Sequence, residues 1–101
     1  MTITRSECTH GVDLTLEGRL DTNTAPKLQE ELLPELNAGK HVLLDFAKVS
    51  YVSSAGLRVL LMGEKAAKAK SSRQVLKNVS ATIMEVFEIT GFASILNIEQ
   101  N

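Results

Sequence analysis

Two adjacent serines, Ser53 and Ser54, are the residues of this chain best placed to take part in chemistry. They follow a short apolar run that begins at Val42, and they precede a segment in which leucine and valine recur with helical spacing. The pattern therefore predicts two hydroxyls between the carboxyl end of a strand and the amino end of a helix, where ligands gather in open α/β sheets. A hydroxyl there can cap the helix, attack a substrate as a nucleophile, or accept a phosphate from another protein.

Nucleophilic catalysis by either serine has no support in the surrounding sequence. Residues 52–56 lack the G-x-S-x-G pattern, and the chain contains no G-x-x-x-x-G-K-[ST] phosphate-binding loop. His10 and His41 are isolated in the sequence and are expected to be exposed structural residues. The single cysteine, Cys8, leaves no CxxC motif and is predicted to be a semi-buried strand residue. We therefore expect no enzyme, no metal and no cofactor, and two alternatives stay open for the serines: a helix cap, or a site that another protein modifies.

Size, charge and hydropathy exclude several classes of protein. A chain of 101 residues, 44% of them hydrophobic, predicts one globular domain over residues 1–101. A net charge of -1 argues against nucleic acid or an anionic membrane surface as a direct partner. No apolar run approaches the roughly 20 residues that span a bilayer, and the amino terminus lacks the apolar stretch of a signal peptide. A cytoplasmic protein is expected.

The elements that must position the serines follow from the hydrophobic pattern. Alternating Val12, Leu14 and Leu16 predict a strand that forms a hairpin with residues 2–7 around a turn at His10 and Gly11. Later segments read in turn as helix, strand, helix, strand, helix and strand. The first helix has N-cap candidates at Thr22, Asn23 and Thr24, and an apolar strand follows at 42–46. After a polar break at 47–50, the pattern predicts a helix over about 55–70 and a strand at 74–79. The last helix has its cap at Ser80 and its stop at Gly91, and a closing strand lies near Ile95, Leu96 and Ile98.

Two consecutive strand–helix–strand units predict parallel neighbouring strands. The fold class expected is α/β, or α+β by overall look: a small mixed β-sheet with helices mainly on one face. Because residues 42–46 are apolar almost continuously, they should form a central strand that the helix over 55–70 covers on at least one face.

Three stretches together resemble the STAS domain, the family of bacterial anti-sigma factor antagonists. The serine turn with its flanks, V-S-Y-V-S-S-A-G-L-R-V-L-L, resembles the family signature. Residues 18–26, G-R-L-D-T-N-T-A-P, resemble its G-x-L-D-x-x-T-A segment, and residues 86–96, V-F-E-I-T-G-F-A-S-I-L, resemble its carboxyl-terminal helix and following turn. The similarity covers essentially the whole chain in the expected order.

This resemblance implies a partner switch. In the family, the unphosphorylated antagonist binds an anti-sigma factor that is also a serine kinase, which frees the sigma factor; the kinase phosphorylates the antagonist, and a serine phosphatase reverses this. The modified serine lies two places before the motif glycine, Gly56, and so corresponds to Ser54, while Ser53 stands where many members carry aspartate. Asp21 matches the aspartate after G-x-L and is expected near Ser54. The implied partner-binding residues are Asp21, Thr22, Ser53, Ser54, Gly56 and Arg58.

Two alternatives accompany these expectations. Arg58, one turn after Ser54, is either an interface contact or a solvated helix residue, and helical arginines usually have no special task. The domain could also be a constitutive STAS accessory subunit of a transport complex. In that case Ser54 would cap a helix and would not be phosphorylated.

Overall fold

The alternating and apolar runs of the sequence form the strands of one five-stranded sheet in the structure, a computed structural model that describes residues 1–99. Three helices and one short 3-10 turn, Phe92–Ser94, connect the later strands. The elements in chain order are β1 Thr2–Cys8, β2 Gly11–Leu20, α1 Ala25–Asn37, β3 Val42–Val52, α2 Ser54–Ala69, β4 Gln74–Lys77, α3 Ala81–Ile89 and β5 Asn97–Glu99.

The spatial order of the strands is the same as their order in the sequence. Strands β1 and β2 form an antiparallel hairpin, whereas β2 with β3, β3 with β4 and β4 with β5 are parallel. Each parallel pair is joined by a helix, as a crossover between parallel neighbours requires. The predicted hairpin and the predicted mixed sheet are confirmed.

Strand β3 lies in the middle of the sheet, and one of its faces is covered by helices. Leu44 and Phe46 are fully buried on that face, where Phe46 meets Phe87 of α3 edge to face with ring centroids 6.4 Å apart. Leu43 points to the opposite face because successive side chains of a strand alternate, and it is only half-buried. The prediction of a central strand covered on one face is confirmed.

The predicted polar break at residues 47–50 is wrong. Strand β3 continues without interruption to Val52, because β2 pairs with it up to Leu20. Strand β4 pairs with β3 only as far as Asp45, so the later part of β3 projects beyond it. Two register shifts between β2 and β3 disturb the alternation of side chains, which is why this part of the strand resembled a turn in the sequence.

The sequence-based expectations for two residues near the hairpin turn need correction. Cys8 is exposed rather than semi-buried, because it ends the edge strand β1. His10 is exposed as expected, but it is not isolated: its Nε2 lies 2.7 Å from Oδ1 of Asp13. Within residues 1–99, no helix is both long and apolar enough to cross a membrane.

An ion-pair cluster ties the edge strand β1 to helix α1. The Arg5 guanidinium donates to Glu35 and, at 2.8 Å, to Glu7, while Nζ of Lys40 lies 3.6 Å from Oε1 of Glu35. The hydrogen bond from Arg5 holds the pKa of Glu35 below its usual range. A folded-state pKa below the unfolded one means that the stabilisation is present at neutral pH and is lost as pH falls through the folded pKa.

Glu35→Gln should therefore lower the melting temperature at neutral pH, and the difference from the wild type should shrink in acid. Thermal unfolding followed by circular dichroism between pH of about 7 and about 3, on either side of the carboxyl range, measures this. Glu31→Gln, an exposed glutamate of the same helix, is the control and should show no such convergence. A difference that stays constant over the whole pH range would contradict the ion-pair explanation.

Candidate functional site

The two serines lie where β3 ends and α2 begins, as the sequence predicts. Ser53 has extended backbone angles, and its Oγ accepts a hydrogen bond from the Gly56 N–H at 3.4 Å. Its backbone carbonyl accepts from the N–H of Leu57 at 2.9 Å. Ser53 is therefore the N-cap of α2, one of the two serines that the sequence offered for that role.

Ser54 is the first residue of α2, and its side chain is exposed. Among the hydrogen bonds of residues 1–99, the one that caps this helix uses the Ser53 hydroxyl and not that of Ser54. The first turn of a helix presents N–H groups without intrahelical acceptors and the positive end of the helix dipole. The two serines therefore differ in the structure: the Ser53 hydroxyl caps the helix, and the Ser54 hydroxyl is exposed and does not cap it.

This division predicts different stabilities for two alanine variants. Ser53→Ala should lower the free energy of unfolding by about 1 kcal/mol, the usual cost of losing an N-cap side chain. Ser54→Ala is the matched control, and it should lower stability much less, because its hydroxyl does not cap the helix. Urea denaturation of both variants measures the difference, and a larger loss for Ser54→Ala would reverse the assignment of the cap.

Asp21 lies beside the serine turn because β2 and β3 end together. The N–H of Ser53 donates to the carbonyl of Leu20 at 2.8 Å, so the residue after Leu20 emerges next to the start of α2. Oδ1 of Asp21 accepts from the N–H groups of Asn23 at 3.0 Å and Thr24 at 3.2 Å. In return, the Thr24 hydroxyl accepts from the N–H of Asp21 at 2.8 Å. Asp21 therefore also builds the turn that leads into α1, a structural role that the motif alone did not predict.

The carboxylate of Asp21 is charged at neutral pH. Partial desolvation raises its pKa, but the backbone N–H groups of Thr24 and Asn23, the Thr24 hydroxyl and the Arg19 guanidinium together outweigh this and lower the pKa below its usual value. Nε of Arg19 lies 3.6 Å from Oδ2 of Asp21. A fixed negative charge therefore stands at this rim of the sheet, close to the serine turn.

Arg19 and Tyr51 form a contact at the same rim that sequence reasoning missed. The two residues are partners in the register of β2 and β3, and the guanidinium carbon lies 4.2 Å from the centre of the tyrosine ring. Tyr51 nevertheless keeps 43% of its surface exposed, two residues before the N-cap. A half-exposed aromatic ring next to charged groups is typical of protein-binding surfaces. The register shift between Gly18 and Arg19 hides this pairing from a simple reading of alternation.

A shallow groove of about 230 Å³ between α1 and α2 contains other predicted partner residues. Thr22 and Arg58 line its two sides, and both are exposed. The remaining lining residues are Ala25, Pro26, Gln29, Ala55, Val59 and Met62. The structure thus brings Thr22 and Arg58 together in this groove, and places Asp21, Ser53 and Ser54 at the adjoining strand ends.

Gly56 differs from the other predicted partner residues because it is buried. A Cβ at this position would lie 2.6 Å from Cγ of Leu20, which is fully buried. The missing side chain therefore lets α2 approach the end of β2. Gly56 does not itself lie on the surface, but this close approach fixes where Ser53 and Ser54 lie.

Comparison with known proteins places these features in a family. A family model described as "Mlab, STAS domain" matches residues 3–97. A putative anti-sigma factor antagonist of Bordetella bronchiseptica, BtrV, is 37% identical over 84 residues, covering 82% of this chain and 72% of the relative. The anti-sigma-B factor antagonist of Listeria monocytogenes is 34% identical over 92 residues, covering 90% of this chain and 81% of the relative.

Solved structures show the same fold at lower sequence identity. A putative anti-sigma factor antagonist from Thermotoga maritima superposes with a TM-score of 0.88 at 19% identity, covering 98% of this chain and 86% of that one. The antagonist SpoIIAA matches in its unphosphorylated form with a TM-score of 0.77 at 19% identity, over 99% of this chain and 89% of that one. The phosphorylated form of Bacillus SpoIIAA matches with a TM-score of 0.74 at 20% identity, over 99% and 93% of the two chains.

Proposed function

The chain belongs to the STAS domain family, and we propose that it is an anti-sigma factor antagonist that works by switching partners. The observation that carries the proposal is the pair of serines at the start of α2. Ser53 caps the helix, which leaves the exposed Ser54 hydroxyl free to accept a phosphate. Relatives named as antagonists align over most of their own length, which supports the same role for the whole of this chain.

In the proposed cycle, the unphosphorylated chain binds an anti-sigma factor that is also a serine kinase. Its docking surface consists of the Ser54 end of α2, the Asp21 turn and the groove with Thr22 and Arg58. The kinase then transfers a phosphoryl group from its own ATP: the Ser54 oxygen bonds to the γ-phosphorus, ADP leaves, and a base of the kinase takes the hydroxyl proton. A serine phosphatase restores the hydroxyl by hydrolysis.

The phosphate can change binding without changing the fold. It brings about -1.5 to -2 charges at neutral pH, and the positive end of a helix dipole tolerates such charge. The match to a phosphorylated form of SpoIIAA agrees with this, since its fold is retained. Within a closed interface the same charge would be desolvated beside the carboxylate of Asp21, and both effects oppose binding.

In this cycle the kinase and the phosphatase supply the catalysis. The chain contributes an acceptor hydroxyl and a docking surface, and we propose that it is itself no enzyme. The partners in question are proteins that act on transcription and use ATP, so the proposed location is the cytoplasm.

A second candidate function is a constitutive accessory subunit of a transport complex. This candidate rests on the description of the matching family model, "Mlab, STAS domain", which is compatible with a STAS domain in either role. The same surface would then hold a partner permanently, and Ser54 would remain unmodified.

Purification of the tagged chain from its source cells, with and without added ATP, distinguishes the two functions. The antagonist function predicts capture of an anti-sigma factor kinase without ATP, and its release together with phosphorylation of the chain when ATP is added. Ser54→Ala is the matched control and should keep the kinase bound in ATP. Capture of a transport ATPase by a chain that stays unphosphorylated in both conditions would contradict the antagonist proposal and favour the accessory subunit.

A further inference from the structure

The tip of the β1–β2 hairpin gathers three side chains that commonly bind metal ions. The thiol of Cys8, the imidazole of His10 and the carboxylate of Asp13 each offer one ligand atom, and these atoms lie within 4.8 Å of one another. We propose that Cys8, His10 and Asp13 form a binding site for a single divalent transition-metal ion, with zinc as the best match. This site is independent of the proposed switch.

The backbone pairing of the hairpin explains why the side chains of Cys8, His10 and Asp13 lie close together. Cys8 pairs with Gly11 across the turn, and Ser6 pairs with Asp13. Because side chains alternate along each strand, Cys8 and Asp13 project from the same face of the hairpin as diagonal neighbours. The His10 ring, from the turn between them, places Nε2 2.7 Å from Oδ1 of Asp13 and 3.8 Å from Sγ of Cys8.

The tip of this hairpin is held firmly against the residue that precedes β3. The N–H of Val12 donates to the carbonyl of His41 at 2.9 Å. A Cβ at Gly11 would lie only 2.1 Å from that same carbonyl oxygen, so the close approach requires glycine. Two of the three ligands, Cys8 and Asp13, belong to paired strands, and their spacing is fixed before any metal binds.

Two of the three distances between ligand atoms lie close to those around a tetrahedral zinc ion, and the third, between Cys8 and Asp13, is no longer than 4.8 Å. Zinc lies about 2.3 Å from sulfur and about 2.0–2.1 Å from nitrogen, which puts tetrahedral sulfur and nitrogen ligands roughly 3.6 Å apart. The observed separation between Cys8 and His10 is 3.8 Å. The contact between His10 and Asp13 must open from a hydrogen bond of 2.7 Å to about 3.3 Å, which rotation of two exposed or half-exposed side chains can supply.

The ligand chemistry favours zinc over calcium or magnesium. A thiolate and an imidazole select softer transition metals, whereas Ca²⁺ and Mg²⁺ prefer sites made only of oxygen. Binding of the cation displaces the proton of the Cys8 thiol, which goes to solvent, and the cation neutralises the negative charges of the thiolate and of the Asp13 carboxylate. Three protein ligands leave the fourth position for water.

The site and the switch lie at opposite ends of the molecule. The hairpin tip is at the start of β2, beside His41, which precedes β3; Ser54 follows the other end of β3. Metal at the hairpin therefore does not compete with phosphate or with the proposed docking surface. Loss of the metal site would leave the antagonist proposal intact, and failure of the switch would leave the metal site intact.

Titration of the full chain with Co²⁺ and then Zn²⁺ tests the site. We expect one Co²⁺ per chain, tetrahedral visible bands, a thiolate-to-cobalt charge-transfer band, and displacement of cobalt by zinc. Cys8→Ser should abolish the charge-transfer band, and His10→Gln and Asp13→Asn should each weaken zinc binding at least tenfold. His41→Gln is the matched histidine control and should leave both the spectrum and the affinity unchanged.

Several outcomes would overturn the site. The charge-transfer band could be missing, His10→Gln could bind zinc as tightly as the wild type, or His41→Gln could weaken zinc as much as His10→Gln does. A stoichiometry of one metal per two chains would also overturn it, because the exposed cysteines would then be bridging separate molecules. Cys8 and His10 are exposed and Asp13 is half-buried, so none of them belongs to the core. The far-ultraviolet circular dichroism of each variant should therefore match the wild type and show that lost binding is not lost folding.

Discussion

Replacing Leu44 with alanine is expected to lower the free energy of unfolding by about 3 kcal/mol, within the usual range for a fully buried leucine. Leu44 is 0% exposed in the central strand β3, on the face that the helices cover. The variant loses the burial of its side chain and leaves a cavity that the packed neighbours fill only in part. In a domain of this size the melting temperature should fall by at least about 12 °C, and urea or thermal denaturation measures both quantities.

Leu43→Ala is the matched control for this prediction. The same chemical change is made one residue earlier, on the face of the sheet without helices, where Leu43 is only half-buried. The expected loss of folding free energy is about 1 kcal/mol, because a half-buried leucine buries less apolar surface on folding and its neighbours can relax around the smaller side chain. Equal losses for the two variants would contradict a sheet with helices on one face.

Ser54→Asp is expected to weaken binding to the anti-sigma factor kinase at least tenfold. The substitution puts one permanent negative charge at the proposed docking surface, at the strand ends where the Asp21 turn also begins. A loss of 1.4 kcal/mol corresponds to a factor of about 10 in affinity, and an unpaired charge in an interface commonly costs more. Isothermal titration calorimetry with the purified kinase, in the absence of ATP, measures the change.

Ser54→Asn separates charge from shape in this experiment. Asparagine is close in size to aspartate but carries no charge, so its affinity should stay within about threefold of the wild type, well short of the tenfold change. Both variants should keep the wild-type melting temperature, since Ser53 still caps the helix. Ser54→Asp should exceed it slightly, because a negative charge at a helix start is favourable. If a demonstrated cognate kinase binds Ser54→Asp as tightly as the wild type, the charge mechanism is wrong.

Most of the fold followed from hydrophobic periodicity. The alternating residues Val12, Leu14 and Leu16 are almost completely buried, and so are the residues of one face at the start of β3, which are Val42, Leu44 and Phe46. The caps of the later helices also followed from residue type: Oγ of Ser80 accepts from the N–H of Ile83 at 3.3 Å, as Ser53 does from Gly56. These features were predictable because each depends on local spacing or on one burial pattern.

Features that depend on strand register could not be predicted from hydrophobic periodicity. The second half of β3 was predicted as a polar break, because it pairs with β2 alone and its side chains do not alternate cleanly. The contact between Arg19 and Tyr51 requires knowledge of a register shift, and the cluster of Cys8, His10 and Asp13 requires the pairing across the hairpin. Asp21 was identified from its motif, but its hydrogen bonds to the following turn are visible only in the folded chain.

The most direct test of the proposed switch is to locate the phosphate on a chain incubated with its cognate anti-sigma factor kinase and ATP. Tandem mass spectrometry of the wild type should find one phosphate, on Ser54, because that hydroxyl is exposed and takes no part in capping. Ser53→Ala should be modified at the same residue. A phosphate on Ser53 would contradict the residue assignment, and a chain that its bound kinase leaves unmodified would contradict the switch itself.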